Sequence, residues 1–361
     1  MAASRTISDL NPLSLMKYRA ARSLKTRNTK IMFFGDSTTA GNATGGDTTQ
    51  VIKSIPMQVA AKLQARGVPA GANNRFGCGS SLFSTLGPFD GRVTSTGTVT
   101  QSSTPSLGGN GISLTAAGSI TFTPQANVTK FDIYWRDGAV GRNFTWAIDG
   151  GATTEIDSTG PINIIKTTVS AGAAGIHALT LAWVAGSVNI FGIDAYDDTG
   201  GRRELSVWNC GITGATSTNL ADNSDPSTGR LAQIIAAAPD LSVIQPGLIN
   251  NWRNSVSLAQ TAIDVTALVN TCKLSGDVIL YTPRFDNANT GLAAQQEDYV
   301  SLLRSLATSL GCSLLDARTI FMGSFATFSA AGFYSDTVHG DTGGAGYADE
   351  AEHIVRALMS I

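Results

Sequence analysis

The chain has 361 residues, 42% of them hydrophobic and 14% charged, with a formal net charge of −2. That length can bury a large core and hold more than one domain. The lysines and arginines are scattered, which argues against nucleic acid as a partner, because phosphate contacts need clustered positive charge. No apolar run approaches the roughly 18 residues of a membrane span.

Residues 1–28 carry Leu13, Leu15, Met16, Tyr18 and Leu24, a pattern that predicts an N-terminal helix leaning on the α/β part of the chain. The first residues show no charged-then-apolar pattern, so no secretory leader is expected. The compartment stays open, with a cytoplasmic and a phage-particle-associated protein both compatible. An apolar strand is predicted at 30–35, and Ile55–Leu63 has helical spacing with proline in its first turn. The texture then changes, and strand and helix return in strict turn from residue 204. Strands are predicted at 205–209, 241–244, 277–281 and 313–315. Helices are predicted at 231–235, 256–272, 292–309 and 343–359. Such alternation predicts a parallel sheet covered by helices.

Residues 77–200 alternate with a period of two instead. Ser119–Thr123, Phe131–Trp135, Phe144–Asp149, Leu179–Trp183 and Val188–Ile193 are punctuated by Gly, Asp, Asn and Ser. That spacing fits an all-β sandwich inserted into the α/β unit. The expected organisation is an N-terminal helix and first α/β part over 1–76, an inserted β-sandwich over 77–203, and a second α/β part over 204–361. Trp135, Trp146, Trp183 and Trp208 lie in or beside the insert, where core packing is the expected use.

The chemically loaded segments lie near the two ends. Gly35-Asp36-Ser37 follows the first apolar strand, and a tight turn there would lift the Ser37 hydroxyl to the carboxyl edge of a sheet, where open α/β sheets place their sites. A serine becomes a nucleophile through a base, and the base needs an orienting group. Asp336 and His339 are three residues apart, so one turn can join carboxylate and imidazole. Of the three histidines, His177 lies in a β-like run and His353 in an amphipathic helix, which gives both structural roles. Cys78, Cys210, Cys272 and Cys312 are far apart with no Cys-x-x-Cys, so a zinc site is not expected and buried thiols are. No metal or cofactor is expected.

With these segments in view, the chain resembles the SGNH hydrolases, the Gly-Asp-Ser lipase and esterase superfamily. The resemblance rests on four ordered segments spanning both α/β parts: Gly35-Asp36-Ser37; Asn209-Cys210-Gly211-Ile212-Thr213-Gly214; Leu248-Ile249-Asn250-Asn251; and Asp336-x-x-His339. It implies a three-layer α/β/α sandwich with a flavodoxin-like parallel sheet, interrupted here by the all-β insert. It also implies Ser37 as nucleophile, His339 as base and Asp336 as the orienting acid. The oxyanion donors would be the Ser37 and Gly214 backbone N–H groups and the Asn250 side chain. Leu248 stands where the family has glycine and Asn251 where it has aspartate, which leaves Asn251 as the alternative donor. The chain has no Gly-x-Ser-x-Gly, which speaks against an α/β-hydrolase elbow.

The expected activity is hydrolysis of short acyl esters, acetyl first, on carbohydrate. The insert points to saccharide by analogy with family members that carry such modules. Two alternatives stand beside it: a broad short-chain carboxylesterase, and a non-catalytic carbohydrate-binding or phage adhesion protein. Trp252 is a candidate wall of the site. The oligomeric state is left open.

Overall fold

The computed structural model describes residues 10, 12–42, 51–78, 90–138, 141–201, 203–287, 293–320 and 324–360. The α/β part is built on a six-stranded sheet, every neighbouring pair parallel. Across the sheet the strands are Ser313–Asp316, Asp277–Thr282, Leu241–Ile244, Thr29–Gly35, Leu205–Gly211 and the two-residue Ala70–Gly71. Without that short edge strand, the five remaining strands run 2-1-3-4-5 in chain order, the flavodoxin-like order. Chain direction across the sheet reverses beside Thr29–Gly35, which puts a topological switch point at its carboxyl end.

Alternation along the central strand sends its side chains to opposite faces. Ile31 and Phe33 join one apolar cluster with Leu15 and Tyr18 of the N-terminal segment, Val59 and Leu63 of the helix Ile55–Gln64, and Ile354 of the helix Ala345–Met359. Met32 and Phe34 join another with Ile234, Leu268 and Leu303 of the helices Arg230–Ala237, Leu258–Lys273 and Ala293–Ser309. The helix starts obey local capping chemistry. Ser257 accepts from the Gln260 N–H at 3.1 Å, and Ser54 caps the helix that has Pro56 in its first turn. Cys78, Cys210, Cys272 and Cys312 are all buried.

The middle of the chain forms a separate nine-stranded sheet, antiparallel throughout, from Asn74–Phe76 to Val188–Tyr196. Its long strand Gly109–Phe122 pairs through Ile112–Leu114 with Val188–Tyr196, and through Ser119–Phe122 with Leu179–Ala185. Between those halves Ala116 and Ala117 take positive φ angles of 42° and 63°. One bent strand therefore belongs to both halves of a curled sheet. Its inner face has its own apolar cluster, including Leu114, Phe122, Phe131, Ile133, Leu181 and Ile190. Trp135 and Trp208 are buried, whereas Trp146 and Trp183 are half-buried against that cluster. Trp208 joins the two sheets: its ring lies 4.4 Å from Phe76 and 5.5 Å from Tyr134, centroid to centroid. Among the described residues, no helix is long and apolar enough to cross a membrane.

Candidate active site

Ser37 opens a four-residue helix, Ser37–Ala40, directly after the central strand. Asp36 is its N-cap: one carboxylate oxygen accepts from the Thr38 N–H at 2.9 Å and from the Thr38 hydroxyl at 2.7 Å. Gln245, just past the neighbouring strand, donates to the Thr38 hydroxyl at 3.2 Å. Asp36 is wholly buried, and its other oxygen, Oδ2, has no hydrogen-bond partner among the described residues. Burial pushes its carboxyl above the usual range, against the opposing pull of the Thr38 hydroxyl and N–H. Gly211 leaves room for the turn. A Cβ there would stand 2.3 Å from the Ala40 nitrogen, so only glycine lets the two segments meet.

His339 comes from the loop before the last helix, where Tyr334 and Gly340 form an isolated bridge. Its Nε2 lies 2.8 Å from Ser37 Oγ, and its Nδ1 lies 2.7 Å from Asp336 Oδ2. The second Asp336 oxygen accepts from the Val338 and His339 N–H groups, each at 2.7 Å. With the ring proton on Nδ1, the imidazole donates to Asp336 and accepts from the Ser37 hydroxyl. Burial alone would raise the Asp336 pKa, but the hydrogen bonds from the His339 ring and from the two N–H groups outweigh it and hold the carboxyl well below the usual range. Ser37 keeps 8% of its surface exposed. A serine hydroxyl on an imidazole that is itself held by a carboxylate can attack a carbonyl carbon.

Gly214 lies three residues past the strand Leu205–Gly211, with φ +77°. Asn250 sits in the short helix Leu248–Arg253, and its side-chain amide donates to the Ala215 carbonyl at 2.9 Å. Asn251 is wholly buried. Its Oδ1 accepts from the Ser217 N–H at 2.9 Å, and its Nδ2 donates to the Ser217 and Thr261 hydroxyls at 2.9 and 2.8 Å. Trp252 is not a wall of the site: it is buried in the core, edge-on to Tyr299, with its indole N–H on Asp286 at 3.2 Å. His177 bonds Asp149 and the Ala173 carbonyl, and His353 is buried in the last helix.

Sequence reasoning missed Gln245 and Tyr347, whose hydroxyl donates to the Asn42 carbonyl at the end of the turn that starts at Ser37. Gln245 had one signal, its place just past a sheet strand. Tyr347 had none, since the last helix reads as ordinary amphipathic sequence.

This fold recurs in a solved structure. A peptidoglycan O-acetylesterase superposes with a TM-score of 0.71 at 16% identity, over 98% of this chain and 98% of that one. The chain shares the overall fold of that esterase. Weaker likenesses run to a family two carbohydrate esterase from Clostridium thermocellum (TM-score 0.32, 12% identity, 69% of this chain and 94% of that one). Another is an acetylxylan esterase from Geobacillus stearothermophilus (TM-score 0.34, 20% identity, 43% and 72%). Scores that low say nothing further of this chain. No protein-family model matches the sequence, and no curated protein does.

Proposed function

We propose that the chain is a serine esterase that hydrolyses short acyl esters, acetyl above all, on carbohydrate. The observation that carries the reading is the hydrogen-bonded run from Ser37 through His339 to Asp336. As the Ser37 hydroxyl attacks the ester carbonyl, His339 takes its proton and then returns it to the leaving alcohol. Water, activated by the same imidazole, then hydrolyses the acyl-Ser37 ester. Asp336 holds the tautomer and balances the imidazolium.

The charge that builds on the carbonyl oxygen falls to the Ser37 and Gly214 N–H groups and the Asn250 amide. Asn250 is favoured over Asn251 because every polar group of the Asn251 side chain already bonds the protein. The SGNH fold supports an ester hydrolase in a three-layer α/β/α arrangement, with the curled sheet as an inserted sandwich. Asn74–Phe76 already pairs with Val188–Tyr196, so the insert's pairing begins three residues before 77.

The saccharide part of the reading rests on fold analogy with a peptidoglycan O-acetylesterase. A broad short-chain carboxylesterase is the second reading, favoured by the small polar residues around Ser37. Acetate release from acetylated xylan, acetylated monosaccharides and simple alkyl acetates separates the two. Higher kcat/KM on saccharides supports the first, and equal or higher values on alkyl acetates support the second.

A further inference from the structure

Beside the Ser37–Ala40 helix, where the curled sheet joins the α/β part, two arginines face one carboxylate among the described residues. Asp90 is held by Arg92 in a two-pronged pair, Nε to Oδ1 at 2.8 Å and Nη2 to Oδ2 at 2.9 Å. Arg92 also donates to the Ala72 and Asn74 carbonyls at 3.0 and 2.9 Å. Arg75 is different. Its Nε donates to the Gly77 carbonyl at 3.1 Å, but its Nη1 comes no nearer to Asp90 than 3.8 Å. Only 7% of its surface is exposed. Among the described residues, two guanidinium groups therefore share one carboxylate, and Arg92 holds it the more closely.

A buried guanidinium whose ion pair is long and shared is poorly compensated. Arg75 lines a cavity of about 30 Å³ together with Asn42, Asn209 and Gly211, and both Arg92 and the Asp90 that it holds are also in the wall, so two positive charges face it against one negative. That volume accepts about two waters, and a carboxylate group is of similar size. The cavity adjoins the reaction site. The Asn42 N–H donates to the Ser37 carbonyl at 2.9 Å, and its side-chain oxygen accepts from the Thr213 hydroxyl at 3.0 Å, next to Gly214. Ala40, also on the cavity wall, is one helical turn from Ser37, about 5 Å along the axis.

We propose that this cavity is an anion subsite that receives the carboxylate of an acidic O-acetylated saccharide while its ester lies at Ser37. The inference rests on the esterase reading. Arg75 supplies the charge, and the part-exposed Asn42 and Asn209 form the polar rim. A neutral sugar ester would leave the guanidinium with only its long pairing to Asp90 and would bind more weakly.

The test compares O-acetylated methyl glucuronoside with the matching glucuronamide, identical apart from the charge, on the wild type, Arg75→Gln and Arg75→Lys. The wild type should favour the acid at least tenfold in kcat/KM, mainly through KM. That ratio should fall to about one in Arg75→Gln and stay intermediate in Arg75→Lys. A wild-type ratio near one, or a ratio unchanged in Arg75→Gln, overturns the subsite. Calorimetry with unacetylated methyl glucuronoside needs no turnover and keeps the two readings apart. Binding to the wild type that is lost in Arg75→Gln supports the subsite even if p-nitrophenyl acetate is not hydrolysed. No binding to the wild type overturns it even if p-nitrophenyl acetate is hydrolysed. Should Arg75→Gln fail to fold, the wild-type ratio and the wild-type binding decide.

Discussion

Tyr347 lies with its ring against Gly340: a Cβ on that glycine would stand 2.9 Å from three ring carbons. The tyrosine hydroxyl donates to the Asn42 carbonyl at 2.5 Å, and Asn42 closes the turn that starts at Ser37. One side chain of the last helix thus touches both the loop of the proposed base and the segment of the proposed nucleophile.

Gly340→Ala should therefore push His339 away from Ser37. A shift of a few tenths of an ångström in a proton-transfer pair costs rate before it costs stability. The expected outcome is a fall in kcat of tenfold or more with a melting temperature within a few degrees of the parent. Tyr347→Phe keeps the ring and should be milder. Unchanged kcat in Gly340→Ala would mean that the contact does not position the base.

Asn250→Ala and Asn251→Ala should separate rate from stability. Loss of one oxyanion donor typically costs about 10²–10³ in kcat, so Asn250→Ala should lose that much with little change in KM. Asn251→Ala leaves the buried Ser217 N–H without its acceptor, at about 1–3 kcal/mol for each group left unpaired. It should shift the urea midpoint before it shifts kcat. The reverse pattern would move the donor to Asn251.

Asp36→Asn tests the buried carboxylate. Burial raises its folded pKa, so the folded state holds its proton more tightly than the unfolded state. Below the unfolded value, about 3.9, Asp36 is protonated in both states and its contribution is fully present. As pH rises through the folded pKa that contribution is lost. Asparagine retains the acceptor for Thr38 and carries no charge, so its stability relative to aspartate should grow from pH 4 to pH 8. Urea unfolding of both proteins at the two pH values measures this, and a constant difference would contradict it.

Acyl preference should be short. Thr38 and Thr39 are small and buried, and Thr213 is tied to Asn42, so no extended apolar groove flanks Ser37 among these residues. A buried methylene is worth about 0.8 kcal/mol, and a lipid groove would raise kcat/KM with chain length. A p-nitrophenyl series should favour acetate and butyrate, and a maximum at eight carbons or beyond would argue for a lipase.

The parallel strands and long helices are legible because their apolar periods are strong: the strands at 241–244 and 277–281 and the helix at 256–272 reappear within two residues as Leu241–Ile244, Asp277–Thr282 and Leu258–Lys273. The strands Val93–Ser106 and Ile164–Gly175 are not, since they are rich in threonine, serine, glycine and alanine and largely exposed, and their pairing is set by neighbours rather than by their own pattern. The helix Leu248–Arg253 is too short to show a period. Ser37, Asp336 and His339 stand out by chemistry and order. The pairing of Arg75, Arg92 and Asp90 does not, because it forms only where the curled sheet meets the α/β part.

Hydrolysis of p-nitrophenyl acetate by the wild type, Ser37→Ala and His339→Ala tests the central claim most directly. With Ser37 as nucleophile and His339 as base, each substitution should lower kcat/KM by at least about 10³-fold while circular dichroism and melting stay near the parent. Activity of folded Ser37→Ala within tenfold of the wild type would contradict the account.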